Sequence, residues 1–179
     1  MLYTFGFDRI GVLLSDVYVE DPDPDRGGEG AEHGVRLEVR VLDRGEPQGS
    51  QYSALPISVG QPIWRVDLLE SVKGTPGSFD RTHHHPAFTG WEPGRRQFDR
   101  DLSRDPMQYL AVRLSDLPGV LQEAGVDADV ASREDAETLR REVPEILQAT
   151  EELLGKVRRG QAGNPPADPG PGYVRSGWL

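Results

Sequence analysis

The sequence predicts an α+β fold: an N-terminal antiparallel sheet of about five strands, packed by helices from the C-terminal half. Three observations predict it. Residues 35–42 alternate apolar and polar, apolar residues recur at helical spacing beyond Pro106, and the two patterns are segregated along the chain rather than interleaved. A length of 179 residues sets an expectation of one domain. That domain is placed at 1–159, with its sheet in 1–100, its helical part in 105–159, and a flexible tail at 160–179.

Residues 10–19 read as a strand rich in β-branched and apolar residues. The next segment, 20–34, holds six acids, two prolines and four glycines, so it reads as a solvated loop. Its aspartates alternate with proline and miss the spacing of a helix–loop–helix calcium site. In 35–42, Val35, Leu37, Val39 and Val41 share one face and Arg36, Glu38 and Arg40 the other, the pattern of a half-buried antiparallel strand. Residues 52–59 form a weaker strand interrupted by Pro56, and 62–70 follow after Gly60. There Trp64, Val66 and Leu68 share a face, while Ile63, Arg65, Asp67 and Leu69 share the other. That mixed second face suggests that Arg65 and Asp67 line something other than an oily core. Residues 79–85 complete the sheet as a fifth strand, and short connections make a meander the natural topology.

Beyond residue 100 the period changes. Asp105-Pro106 reads as an N-cap followed by proline at the first helical position. Met107, Leu110, Leu114, Leu117 and Leu121 then recur at helical spacing, with Pro118 splitting the run, Ser115 capping its second half and Gly125 ending it. Ser132-Arg133-Glu134-Asp135 resembles a capping box, opening a long helix that Pro144 should kink. From Gly160 onward, nine of twenty residues are Gly or Pro, so residues 160–172 are expected to be exposed and mobile, as are 20–34.

Composition excludes several function classes. The chain contains no Cys, which removes thiol nucleophiles, Cys-ligated zinc, iron–sulfur clusters and disulfides. No apolar run reaches membrane-spanning length, and residues 1–9 lack a secretory pattern, so a soluble, cytoplasmic protein is the expectation. The net charge of −10 argues against non-specific binding to DNA or RNA. Gly-rich phosphate loops, nucleophile elbows and His-Glu-x-x-His pairs are all missing. Only residues 51–100 escape the acidic bias, with 5 acids against 6 bases, and they hold three of the four histidines.

The candidate site therefore lies in that quarter. His83, His84 and His85 stand beside Asp80 and Arg81, with Trp91, Arg95, Arg96 and Asp99 a short loop away. In an extended segment, His83 and His85 share a face with Arg81, and His84 shares the other with Asp80, to which it can hydrogen-bond. Histidines titrate near neutrality and can divide the work of base and acid, and an arginine can hold a phosphate. Cleavage of an RNA phosphodiester needs those parts and no metal. His83, His84, His85, Arg65 and Asp67 are the candidate catalytic residues, with Asp67 orienting a histidine. Arg81, Arg95, Arg96 and Trp91 are the candidate substrate contacts. In an alternative reading, His83 and His85 ligate zinc or another divalent ion, with Asp80, Asp67 or Asp99 completing the shell. In a third, the histidines are structural and the protein is a non-enzymatic acidic partner or assembly subunit. It would then dock through helices in 105–159 or through Tyr173–Leu179.

The run Arg65-Val66-Asp67, followed by the histidine cluster and then the helical region from Pro106, locally resembles bacterial toxin ribonucleases of the TumE type. The resemblance implies RNA cleavage at these residues. Leu68 stands where that family carries Asn, its second histidine cluster has no counterpart, and the acidic loop and long C-terminal region lie outside the likeness.

Overall fold

A computed structural model describes residues 1–20 and 30–165, together with the backbone of 174–176. Strands β1 (Leu2–Gly6), β2 (Ile10–Val19), β3 (Glu32–Arg44), β4 (Ile57–Ser71) and β5 (His83–His85) form an antiparallel meander in that spatial order. A hairpin of β6 (Phe88–Thr89) and β7 (Glu92–Pro93) follows. The chain then turns helical: α1 (Arg100–Arg104), α2 (Pro106–Ser115), α3 (Leu117–Ala124), a 3₁₀ turn at Ala128–Val130, and α4 (Arg133–Arg158). The short strand β8 (Val174–Ser176) pairs with Val17–Val19 of β2. This is the predicted α+β meander with helices packed from the C-terminal half.

Alternation decides which face meets the helices. Val12 and Leu14 of β2, Val35, Leu37 and Val39 of β3, and Trp64, Val66 and Leu68 of β4 are all fully buried in one apolar core. Leu110 and Leu114 of α2, Leu117 of α3, and Leu139, Ile146 and Leu153 of α4 complete it. Burying each such side chain contributes roughly 1.5–3 kcal/mol, so this interface is the main source of stability. Among the described residues no helix is long and apolar enough to cross a membrane.

The helix ends follow local chemistry. Asp105 accepts from the Gln108 amide at 3.1 Å, ahead of Pro106 at the first helical position. Gly125 ends α3 with φ 67°, a conformation that costs glycine little. The capping box at α4 forms as expected, and its Asp135 does more than cap. Oδ2 accepts from the Ser132 amide at 2.7 Å, while Oδ1 accepts from the amides of Asp8 at 2.8 Å and Arg9 at 3.1 Å. One buried carboxylate thus ties the β1–β2 turn to the start of the last helix.

Several expectations are corrected. The start of α3 is capped by Asp116, whose side chain accepts from the Gly119 amide, not by Ser115. Residues 2–6 form a strand that the sequence did not announce, because Leu-Tyr-Thr-Phe-Gly is too short to establish a period. Tyr52 lies exposed before the strand, and 57–71 form one strand rather than two. Gly60 and Pro62 are absorbed where the pairing with β3 shifts register around Arg40. The strand expected at 79–85 shortens to its three histidines. In the expected loop 20–34, Glu32–Gly34 belong to β3 and Glu32 is buried. In the expected tail, Ala162 is buried and the Gly163 amide donates to Asp16 Oδ2 at 2.7 Å. The remaining calls on 21–29 and 166–172 lie outside the described residues.

Candidate functional site

Sheet register builds the site. Arg36 of β3 pairs across to Asp67 of β4, and Asp67 to His83 of β5. One step along, Glu38 lies opposite Arg65, and Arg65 opposite His85. Two ranks of three polar residues therefore lie side by side on the sheet face turned away from the helical core. Directly opposed side chains have Cβ atoms only about 4.5–5.5 Å apart, so their charges must come to terms with one another.

Asp67 is the hub. Its Oδ1 accepts from Arg36 Nε at 2.7 Å. Its Oδ2 lies 2.9 Å from Arg65 Nε, 3.4 Å from His83 Nε2 and 3.6 Å from His85 Nε2. Arg65 Nη2 also lies 2.8 Å from His85 Nε2. The two imidazole rings meet edge to face at 5.1 Å. Phe98 packs on His83 at 5.6 Å, and Phe88 lies 6.5 Å from His85 and 5.8 Å from the Arg65 guanidinium carbon. Beneath these aromatics Asp67, His83 and His85 are only 1–4% exposed.

The backbone fixes how the two histidines present themselves. His83 Nδ1 lies 2.8 Å from the Arg81 carbonyl and His85 Nδ1 lies 2.7 Å from the Gly94 carbonyl. A carbonyl only accepts, so each Nδ1 carries the proton and donates it. In a neutral ring the Nε2 lone pair is then turned inward, towards Asp67. That arrangement, one ring nitrogen anchored on a carbonyl and the other turned to the centre of the cluster, is the support that metal-binding histidines ordinarily have. The ligand atoms of Asp67, His83 and His85 all lie within 4.8 Å of one another.

Electrostatics keep Asp67 ionised and His85 neutral. Burial pushes the Asp67 carboxyl up, but Arg36, the contact with His83, and Arg65 outweigh it and hold the carboxyl well below its usual range. Burial and the neighbouring Arg65 push His85 down to about 4, so it is neutral near pH 7. For Arg65 itself, burial outweighs the attraction of Asp67 and lowers its affinity for the proton.

The other sequence-predicted residues lie elsewhere. His84 points to the opposite face, 6.5 Å from Trp64 and 5.9 Å from Tyr109 by ring centroid, and burial with Arg113 nearby pushes it down. Asp80 is not bonded to His84. It accepts from the Ser71 amide at 3.0 Å and from the Ser78 hydroxyl at 2.9 Å, so it is not the carboxylate beside the histidine pair. Asp99 caps α1. The Arg81 side chain reaches Ser71 at 3.0 Å, and its carbonyl meets His83 Nδ1. Arg95 and Arg96 are exposed. Trp91, also exposed, lies under Arg40 at 5.1 Å. Of the expected residues, the structure brings together Arg65, Asp67, His83 and His85. Sequence reasoning missed Arg36, Glu38, Phe88, Phe98 and the Gly94 carbonyl. A signal for the first two was present: their face of β3 is charged opposite the mixed face of β4, and charges on a covered sheet face need partners.

Comparison with known proteins adds no name to this geometry: no family profile, curated protein or solved structure matches the chain.

Proposed function

We propose that this protein binds a divalent metal ion, zinc being the best fit, through Asp67 Oδ2, His83 Nε2 and His85 Nε2. The observation that carries the reading is the anchoring of both Nδ1 atoms on main-chain carbonyls, which turns both Nε2 atoms towards one carboxylate oxygen. Three such donors call for a cation among them, and the Arg65 guanidinium now meets two of the three. The separations of 3.4 Å and 3.6 Å are close to the roughly 3.3 Å edge of a tetrahedron whose metal–ligand bonds are about 2.0–2.1 Å. Two neutral imidazoles and one carboxylate suit zinc and related borderline ions over calcium or magnesium. Three protein ligands leave a fourth position that a small ligand such as water could fill.

Metal-free cleavage of RNA by the same cluster draws less support. His85, held neutral down to about pH 4, is a poor general acid near pH 7, and a scissile phosphate has to reach groups that are almost fully covered.

The test is a zinc titration of metal-depleted protein, followed by competition with a chromophoric chelator, with cobalt absorption as a report of tetrahedral geometry. One ion per chain is expected, with binding lost in H83Q and H85Q and retained in H84Q. Absence of stoichiometric binding, or equal binding by all three variants, rejects the assignment. Labelled RNA assayed in parallel with and without EDTA decides the competing reading: cleavage that survives EDTA and disappears in H83Q favours the metal-free mechanism.

A further inference from the structure

The Arg65 guanidinium occupies an unusual place for a site of this kind. Nε lies 2.9 Å from Asp67 Oδ2 and Nη2 lies 2.8 Å from His85 Nε2, so one cation touches two of the three proposed ligand atoms. It stands where those ligands direct their negative charge. Its fit there is incomplete: Nε is buried and finds no aligned acceptor, despite its closeness to the carboxylate. Arg36 is better seated, with Nε on Asp67 Oδ1 at 2.7 Å, on the oxygen that the proposed metal does not use.

A second acceptor is within reach of Arg65. Glu38 sits directly opposite it on β3, and its Oε2 currently takes Arg40 Nη1 at 3.1 Å. Arg40 has another anchor, its Nε on the Gly60 carbonyl at 3.0 Å, so Glu38 can turn to Arg65 without abandoning Arg40 altogether. Phe88 lies 5.8 Å from the Arg65 guanidinium carbon and offers an aromatic surface beside the path.

We propose that Arg65 is the resident cation of the Asp67–His83–His85 cluster, that an incoming divalent ion must displace it, and that Glu38 receives the guanidinium when it leaves. This inference rests on the metal-binding reading above. Exchange of one cation for another keeps the buried carboxylate compensated throughout, whereas adding a dication to a cluster that keeps both arginines gathers like charges in a poorly solvated space. Arg65 thereby sets the affinity and specificity of the site without being a ligand: only an ion that binds the three ligands strongly enough to pay for its departure is admitted.

Zinc dissociation constants of the unaltered chain, R65M, E38Q and R65M/E38Q, measured at one pH by chelator competition, test this. R65M keeps a side chain of similar length without charge and is expected to bind zinc roughly tenfold tighter or more. E38Q is expected to weaken binding in the unaltered background and to have little effect once Arg65 is gone. Thermal melts establish that each variant folds, and R65Q serves if R65M does not. In the unaltered, nitrogen-labelled chain, zinc is expected to move the Arg65 Nε resonance. Equal or weaker binding by R65M, an unchanged Glu38 effect in both backgrounds, or a stationary Arg65 resonance at saturating zinc overturns displacement while leaving metal binding intact. Failure of every form to bind zinc, R65M included, overturns the metal reading and this inference together.

Discussion

The two faces of the sheet come from the same strands and differ in how they are held. On the face turned to the helices, Trp64, Val66 and Leu68 of β4 meet Leu110, Leu114 and Ile146 in a core that is mainly apolar, with His84 buried against Trp64 and Tyr109. On the opposite face, the residues between them, Arg65 and Asp67, join Arg36, Glu38, His83 and His85 under Phe88 and Phe98. Both are covered. The first gains stability from area removed from water, which needs size and shape but little directional geometry. The second has to match each buried charge with a partner, which makes it costly to assemble and sensitive to single losses. A protein that needed only stability could have used leucine on both faces, so the second face asks for a functional explanation.

The sharpest break of this comparison is Asp67→Ala, which leaves Arg36 and Arg65 buried without their shared anion. About 3–5 kcal/mol of destabilisation is expected in urea unfolding, and a loss below about 1 kcal/mol would show that water already compensates those arginines. Leu68→Ala, one residue along and on the other face, should cost about 2–5 kcal/mol through its cavity and leave zinc binding unchanged. The triple substitution R36M/D67L/R65M separates the faces most cleanly. Stability should stay within about 1–2 kcal/mol of the parent, or rise, while zinc binding vanishes; severe destabilisation would mean that the charges are retained for the fold.

The pH dependence sharpens the contrast. A folded-state histidine near pH 4 has an unfolded counterpart near 6.5, so the unfolded chain binds more protons between these values. Stability of metal-depleted protein should therefore fall as pH drops from about 6.5 to 4, by on the order of 3 kcal/mol from His85 alone, and H85Q should flatten that slope. Below it, Asp67 adds its own loss as pH falls from its unfolded value near 4 through its depressed folded one. The smallest expected effect is Glu137→Ala, which removes an exposed helical pair with Arg133. A change of about 0.5 kcal/mol or less is expected by thermal melt.

The apolar face was legible because its signal is periodic and local. The alternation of Val35, Leu37 and Val39, and that of Trp64, Val66 and Leu68, survives in isolation from the rest of the chain. The mixed second face of β4 was visible too, and with it the singling out of Arg65, Asp67, His83 and His85. What sequence could not supply was register. Without knowing that Arg36 lies opposite Asp67, and Glu38 opposite Arg65, the charges on β3 read as a solvated surface. The carboxylate nearest in sequence to the histidines, Asp80, looked like their companion, but a turn gives it to Ser71 and Ser78. Pro62 and Gly60 looked like strand breakers because a bulge cannot be read from one strand alone. The docking of Ala162 and Gly163 depends on Asp16, 147 residues before Gly163.

The Asp135 contact sets an order of events during synthesis. The turn at Asp8 and Arg9 emerges from the ribosome well before its partner, because the carboxylate that accepts its amides stands 127 positions after Asp8. At about 5–20 residues per second, the nascent hairpin waits on the order of ten seconds for that acceptor. Until then its turn amides have only water for company, and the first hairpin of the sheet is finished by a carboxylate made long after it.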